Sequence, residues 1–196
     1  VAMDPQTGAI LAMASRPTFN PNLFSDGPTT QQWADLNRPD APLLNRAFRG
    51  FPPASTFKIV TTIAALESGL FKADSKVLTT SSFCYAGLCY GDHGAHGVIG
   101  FPFALAVSSN TFYYRVGLRV GPVHLFRAAR RMGYGQASGI ELRDEESLGL
   151  LGDPAWKKAA LGEPWTPVDT ITSAIGQGAL QVTPIQMARL YAAVAN

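Results

Sequence analysis

The segment Phe51–Pro52–Pro53–Ala54–Ser55–Thr56–Phe57–Lys58 constrains the fold more than any other stretch of the chain. Two prolines cannot lie inside a helix but can lead into one, so the spacing predicts a helix over Thr56–Ser68, closed by Gly69. Ser55 then falls at the helix start, where backbone N–H groups are unpaired and the helix dipole is positive. Lys58 follows one turn later and shares a face with Ser55. Phe57, Ile59, Val60, Ile63, Ala64, Ala65 and Leu66 leave this helix apolar on nearly every side, which is the pattern of a buried helix. A lysine buried there is costly unless it has a partner or a task. Desolvation lowers its pKa and suits it to act as a base toward a hydroxyl one turn away, with the Ser55 N–H as one oxyanion donor. The plainer reading is a capping serine followed by a lysine whose amine reaches solvent.

A second cluster interrupts an apolar run. Ser108–Ser109–Asn110 separates Ala104–Val107 from Thr111–Phe112–Tyr113–Tyr114. Ser108 and Asn110 can be read as caps at a helix start, or as a hydroxyl and an amide in a cleft that relay a proton and hold a substrate amide.

The remaining organisation is mixed. Ala9–Met13 reads as a buried strand after the turn Asp4–Gly8, and Phe19–Pro53 as a long surface connection with a helical candidate near Gln31–Leu36. Leu78–Gly100 is loop-rich, Phe103–Leu118 and Val123–Met132 read as helices, and Gly149–Pro167 is again loop-rich. Ile171–Ala174 is a short helical candidate before Gly176–Gln177–Gly178, read as a tight turn into a strand. Thr183, Pro184 and Gln186 form a capping box that opens a last helix. The short arm before the first turn and the abrupt end after that helix read as an internal segment of a longer protein.

Charge excludes one class of partner. With 16 basic and 14 acidic residues the net charge is +2, without the basic stripe of a nucleic-acid binder. Charged residues are 15% and hydrophobic ones 46%, enough for a large core. The longest apolar stretches, Ile59–Leu66 and Phe101–Val107, are too short to span a bilayer. Arg127, Arg130 and Arg131 read as a solvated helix face, and His124 as structural.

Together the two polar clusters carry a resemblance. Ser55-Thr-Phe-Lys58 after Pro-Pro-Ala, with Ser108-Ser-Asn110 downstream, resembles the penicilloyl-serine transferases. The strings MDPQTGAILAMAS (3–15), LLNRAFRG (43–50), GEPW (162–165) and AIGQGALQVTPIQMA (174–188) narrow it to the transpeptidase domain of class B penicillin-binding proteins, elongation type. The resemblance implies that residues 1–196 are part of such a domain, with an α/β fold in which an antiparallel sheet lies between helices. It implies Ser55 as acylated nucleophile, Lys58 as general base, and Ser108 with Asn110 as the second motif. It also implies peptidoglycan cross-linking, with stem peptides as substrates, β-lactams as inhibitors and a membrane glycosyltransferase as partner. The place would be the extracytoplasmic face of a bacterial membrane, with an anchor outside this chain. A serine β-lactamase and a non-catalytic β-lactam sensor are the alternatives.

The family's third motif, Lys-[Thr/Ser]-Gly, does not occur in the chain. Cys84, Cys89, Asp92, His93 and His96 fall close together, and three readings stay open for them. One is a zinc site near Cys84, Cys89 and His96, since His96 resembles the family's Gly-His-Gly position. The others are a Cys84–Cys89 disulfide and two separate thiols. The resemblance implies no obligatory cofactor.

Overall fold

The computed structural model describes residues 1–142 and 144–196. Among the described residues the strands pair antiparallel, as expected, in three two-stranded sheets. β1 (Ala2–Met3) pairs with β2 (Ile10–Ala12) across the expected turn, which the Asp4 carboxylate closes by accepting from the Gln6 N–H and the Thr7 hydroxyl. β2 is not the buried strand that its apolar residues suggested: Leu11 is 71% exposed, because no second layer of these residues lies over it. β3 (Lys76–Thr79) and β6 (Gly97–Gly100) form the second pair, and β4 (Ser82–Tyr85) and β5 (Leu88–Gly91) the third. The region read as loop-rich between Leu78 and Gly100 is therefore one hairpin enclosed by another pair. The Ala86–Gly87 turn, both residues at positive φ, has the twist a two-residue hairpin needs.

Helices form where caps and apolar spacing agree. α1 (Thr30–Leu36) starts from a Thr29–Gln32 capping box, α6 (Pro167–Ser173) from Thr166–Asp169 and α7 (Pro184–Ala195) from the expected Thr183–Gln186. α2 (Lys58–Glu67) follows a 3-10 turn over Ala54–Phe57, and Gly69 at φ +72° closes it. α3 (Phe101–Ala106) and α4 (Asn110–Arg131) replace the single helix expected over Phe103–Leu118. The expected break further on appears as a kink at Gly121–Pro122 inside α4. α5 (Pro154–Leu161), capped by Asp153 and ended by left-handed Gly162, lies within a stretch read as loop. Its apolar residues are mostly exposed, so the sequence shows little periodic stripe there.

α4 packs against α2 on one side and α6 on the other. Phe57, Val60, Ala64, Phe112, Tyr113, Val116, Ile171 and Ile175 form one core cluster, each large side chain contributing about 1.5–3 kcal/mol of burial. Gly117 permits the close approach of α4 and α6, because a β-carbon there would overlap that of Ala174. Two of the three clustered arginines have acidic partners: Arg130 with Asp153, and Arg131 with Glu67 at 3.0 Å. Among the described residues no helix is long and apolar enough to cross a membrane.

Candidate active site

Ser55 lies on the 3-10 turn that precedes α2, and the Lys58 N–H donates to the Ser55 carbonyl. In a 3-10 turn side chains three residues apart eclipse one another, so Ser55 and Lys58 line up along one edge. The turn is tightly set. Ala54, just before the serine, has φ +49°, a left-handed conformation that costs a non-glycine residue about 1–2 kcal/mol. The Ala54 N–H donates to the Gly176 carbonyl at 2.8 Å, and Phe51 exchanges two hydrogen bonds with Val182. The segment around Gly176–Gln177–Gly178 is thus the floor under the serine turn, and Gly176 and Gly178 both hold positive φ as a tight turn requires.

Ser55 is exposed, and among the described residues its hydroxyl has no hydrogen-bond partner. Lys58 is only 1% exposed, which corrects the reading of a lysine that reaches solvent. Its amine instead donates to the Ser108 carbonyl at 2.7 Å, the Ser108 hydroxyl at 2.9 Å and the Asn110 side-chain oxygen at 2.7 Å. Three acceptors match the three N–H donors of an ammonium. Burial pushes the Lys58 pKa down to about 8, against the opposing pull of the Asp92 carboxylate. Lys58 also lies 5.8 Å from the centroid of the Tyr113 ring.

The structure brings Lys58, Ser108 and Asn110 together and puts Ser55 one turn from the lysine. It does not use Ser108 and Asn110 as helix caps. Ser109 caps α4 by accepting from the Phe112 N–H at 3.3 Å. Ser108 adopts φ +53°, which turns both its oxygens to Lys58.

Cys84 and Cys89 are joined in a disulfide across the β4–β5 pair. That corrects the zinc reading at Cys84, Cys89 and His96, because sulfurs bonded to each other are not thiolate ligands. Among the described residues no group of three or more His, Cys, Asp or Glu side chains is arranged to hold a metal. Asp92, first grouped with those cysteines, instead accepts from Ser109 and Thr111. Sequence reasoning missed this role, and its only signal was an acid placed before a small polar cluster. Trp165 packs edge-on to Phe126 and donates to the Thr170 hydroxyl, a core-covering role.

The family model for the penicillin binding protein transpeptidase domain matches residues 1–196. The chain is 37% identical over 195 residues to peptidoglycan D,D-transpeptidase MrdA of Escherichia coli K12, covering 96% of this chain and 31% of that protein. Pseudomonas aeruginosa PBP2, solved in complex with WCK 5153, superposes with a TM-score of 0.91 at 31% identity, over 99% of this chain and 45% of that one. Helicobacter pylori PBP2, solved in complex with MreC, gives 0.89 at 29% identity, over 94% of this chain and 35% of that one. The chain thus spans about a third of the length of the curated relative it matches.

Proposed function

The chain belongs to the penicillin binding protein transpeptidase family, with the α/β fold of its PBP2-type members, and from that premise we propose that it supplies the acylating half of a peptidoglycan D,D-transpeptidase site. One observation carries the reading: a buried lysine, one turn from an exposed serine, with every N–H directed at Ser108 and Asn110.

The chemistry follows from the amine's protonation. As an ammonium, Lys58 spends its three hydrogens on three acceptors and has no lone pair to offer. As a neutral amine it keeps two of those bonds and gains a lone pair one turn from Ser55. The Ser55 hydroxyl then transfers its proton to Lys58 while its oxygen attacks the carbonyl of the penultimate D-alanine of a stem peptide. The Ser55 N–H, near the helix start, stabilises the oxyanion. On collapse the C–N bond breaks, and the proton passes from Lys58 through the Ser108 hydroxyl to the departing D-alanine amine. Asn110 holds the peptide amide. An amine of a second stem peptide then attacks the ester and frees Ser55. A β-lactam undergoes the same first step by opening its ring, leaving a slow ester.

For the whole protein we propose stem peptides as substrates, β-lactams as inhibitors, and protein partners in wall synthesis. The Helicobacter pylori PBP2 complex with MreC supports a partner of that kind. The Cys84–Cys89 disulfide suits an extracytoplasmic site. The comparisons give no support to the β-lactamase or sensor alternatives, since the curated relatives are D,D-transpeptidases.

The test is the rate of covalent labelling by a fluorescent penicillin as a function of pH, on the full-length protein that contains this chain. Neutral amine is the active form, so the rate constant rises with pH and levels off above the Lys58 value of about 8. One pH unit below that value, about a tenth of the plateau rate remains. A rate that is flat from about pH 6 to 9, or that falls through this window, contradicts Lys58 as the base.

A further inference from the structure

Residues 108 to 111 alternate between two partners. Ser108 and Asn110 give their oxygens to Lys58. Ser109 and Thr111 turn the other way, to Asp92. One oxygen of that carboxylate accepts from the Ser109 hydroxyl at 2.7 Å, the Thr111 N–H at 2.8 Å and the Thr111 hydroxyl at 2.9 Å. The other accepts from the His93 N–H at 2.8 Å. Asp92 is itself fixed, because it follows β5 and its N–H donates to the Ser81 carbonyl at 2.9 Å beside the disulfide-closed hairpin.

We propose that Asp92 is a positioning residue for acylation: by holding Ser109 and Thr111 it keeps Ser108 in its left-handed conformation and turns Ser108 and Asn110 onto Lys58. The inference rests on the transpeptidase reading above. Its physical basis is the energy of the clamp against that of the strain. A non-glycine residue at φ +53° reverts to an ordinary conformation unless its neighbours are held. Charge-assisted bonds from Ser109 and Thr111, directly after Ser108, hold them on that side, and the N-terminal end of α4 adds a favourable dipole for the anion. The hydrogen bonds of Ser109 and Thr111 keep Asp92 ionised, with its pKa down to about 2 despite partial burial. Asp92 is thus charged at every pH of interest and is a fixed negative neighbour of Lys58.

The groups facing this pair are few. Tyr113 of α4 lies against Lys58, and burial pushes its phenol well above the ordinary range, so it stays neutral. Tyr114 of α4 and Tyr90 of β5 pack with tilted rings beside the hairpin, and burial with the Asp92 charge also raises Tyr114. His93 adjoins Asp92 in the chain and its N–H donates to that carboxylate, so a His93→Gln variant serves as a control.

The test compares the penicillin acylation rate and its pH profile in the full-length protein with Asp92→Ala, Asp92→Asn, Ser109→Ala and Thr111→Val, with thermal midpoints alongside. Asp92→Ala lowers the plateau rate on the order of 10- to 100-fold, the scale for a misplaced catalytic group. Asp92→Asn keeps an acceptor oxygen and loses less, but it removes the negative neighbour, so the acid limb moves to lower pH. A purely structural role would lower the thermal midpoint and leave the rate of the folded protein and its acid limb unchanged. Should Asp92→Ala not fold, severalfold losses in Ser109→Ala and Thr111→Val carry the same prediction, and wild-type rates in both overturn it. Label on the wild type with unchanged rate and limb in both Asp92 variants overturns this inference alone. A wild type that takes no label overturns the acylation reading and this inference with it.

Discussion

Lys58→Met is expected to lower the acylation rate on the order of 1,000-fold while leaving a folded protein. The methionine fills the buried volume without the cost of desolvating a charge. It leaves the Ser108 and Asn110 oxygens without their donor, a loss of about 1–3 kcal/mol. The catalytic loss is of a different kind, because no base then stands one turn from Ser55. Lys58→Arg separates base from charge. A guanidinium restores the positive charge and the donors but does not deprotonate in a protein, so this variant is expected to stay as slow as Lys58→Met. Stopped-flow or gel-based labelling with a fluorescent penicillin reads both. An arginine variant within tenfold of wild type would mean that Lys58 acts through its charge alone.

Gly176→Ala is expected to be the most damaging single-methyl change near the site. Gly176 has φ +74°, and a β-carbon there would overlap the Ala54 carbonyl oxygen and meet the Phe57 β-carbon at 2.7 Å. Neither neighbour is the end of a flexible side chain. Ala54 is already in a left-handed conformation, and Phe57 is fully buried against Tyr134. Backbone strain of about 1–2 kcal/mol and overpacking of about 1–3 kcal/mol add, for a loss of about 2–5 kcal/mol. That corresponds to a fall of roughly 10 °C in the thermal midpoint of a domain this size. Because the displaced atoms are the turn that carries Ser55, acylation of the surviving folded fraction falls as well. Gly8→Ala is the control: it also has positive φ, but a β-carbon there meets nothing within 4 Å, so strain is its only cost.

The sequence made the serine and lysine legible because their surroundings, Pro-Pro before and an apolar helix after, leave a buried cation with nothing to do but chemistry. The partner cluster was legible only as a pair of strings, since no local rule says that residues 108 and 110 face one way while 109 and 111 face another. That alternation comes from one left-handed residue, Ser108, and serine carries no signal for it. Asp92 was hidden for a related reason. Its proximity to Cys84, Cys89 and His96 suggested metal ligands, whereas Ser109 and Thr111, which supply three of its hydrogen bonds, stand 17 and 19 residues further along the chain. β2 was misjudged because apolar composition does not say whether a second layer lies over the strand. The capping box of α7 was read correctly, being wholly local.

The most direct measurement is the position of the acyl adduct. The full-length protein that contains this chain is incubated with benzylpenicillin, digested and mapped by mass spectrometry, beside a Ser55→Ala variant. Ser55 is exposed with no side-chain bond among the described residues, so its loss leaves the fold intact. The account predicts one penicilloyl group on the peptide bearing Ser55, and none on the variant. An adduct on any other serine or threonine, or one that persists in Ser55→Ala, would contradict it.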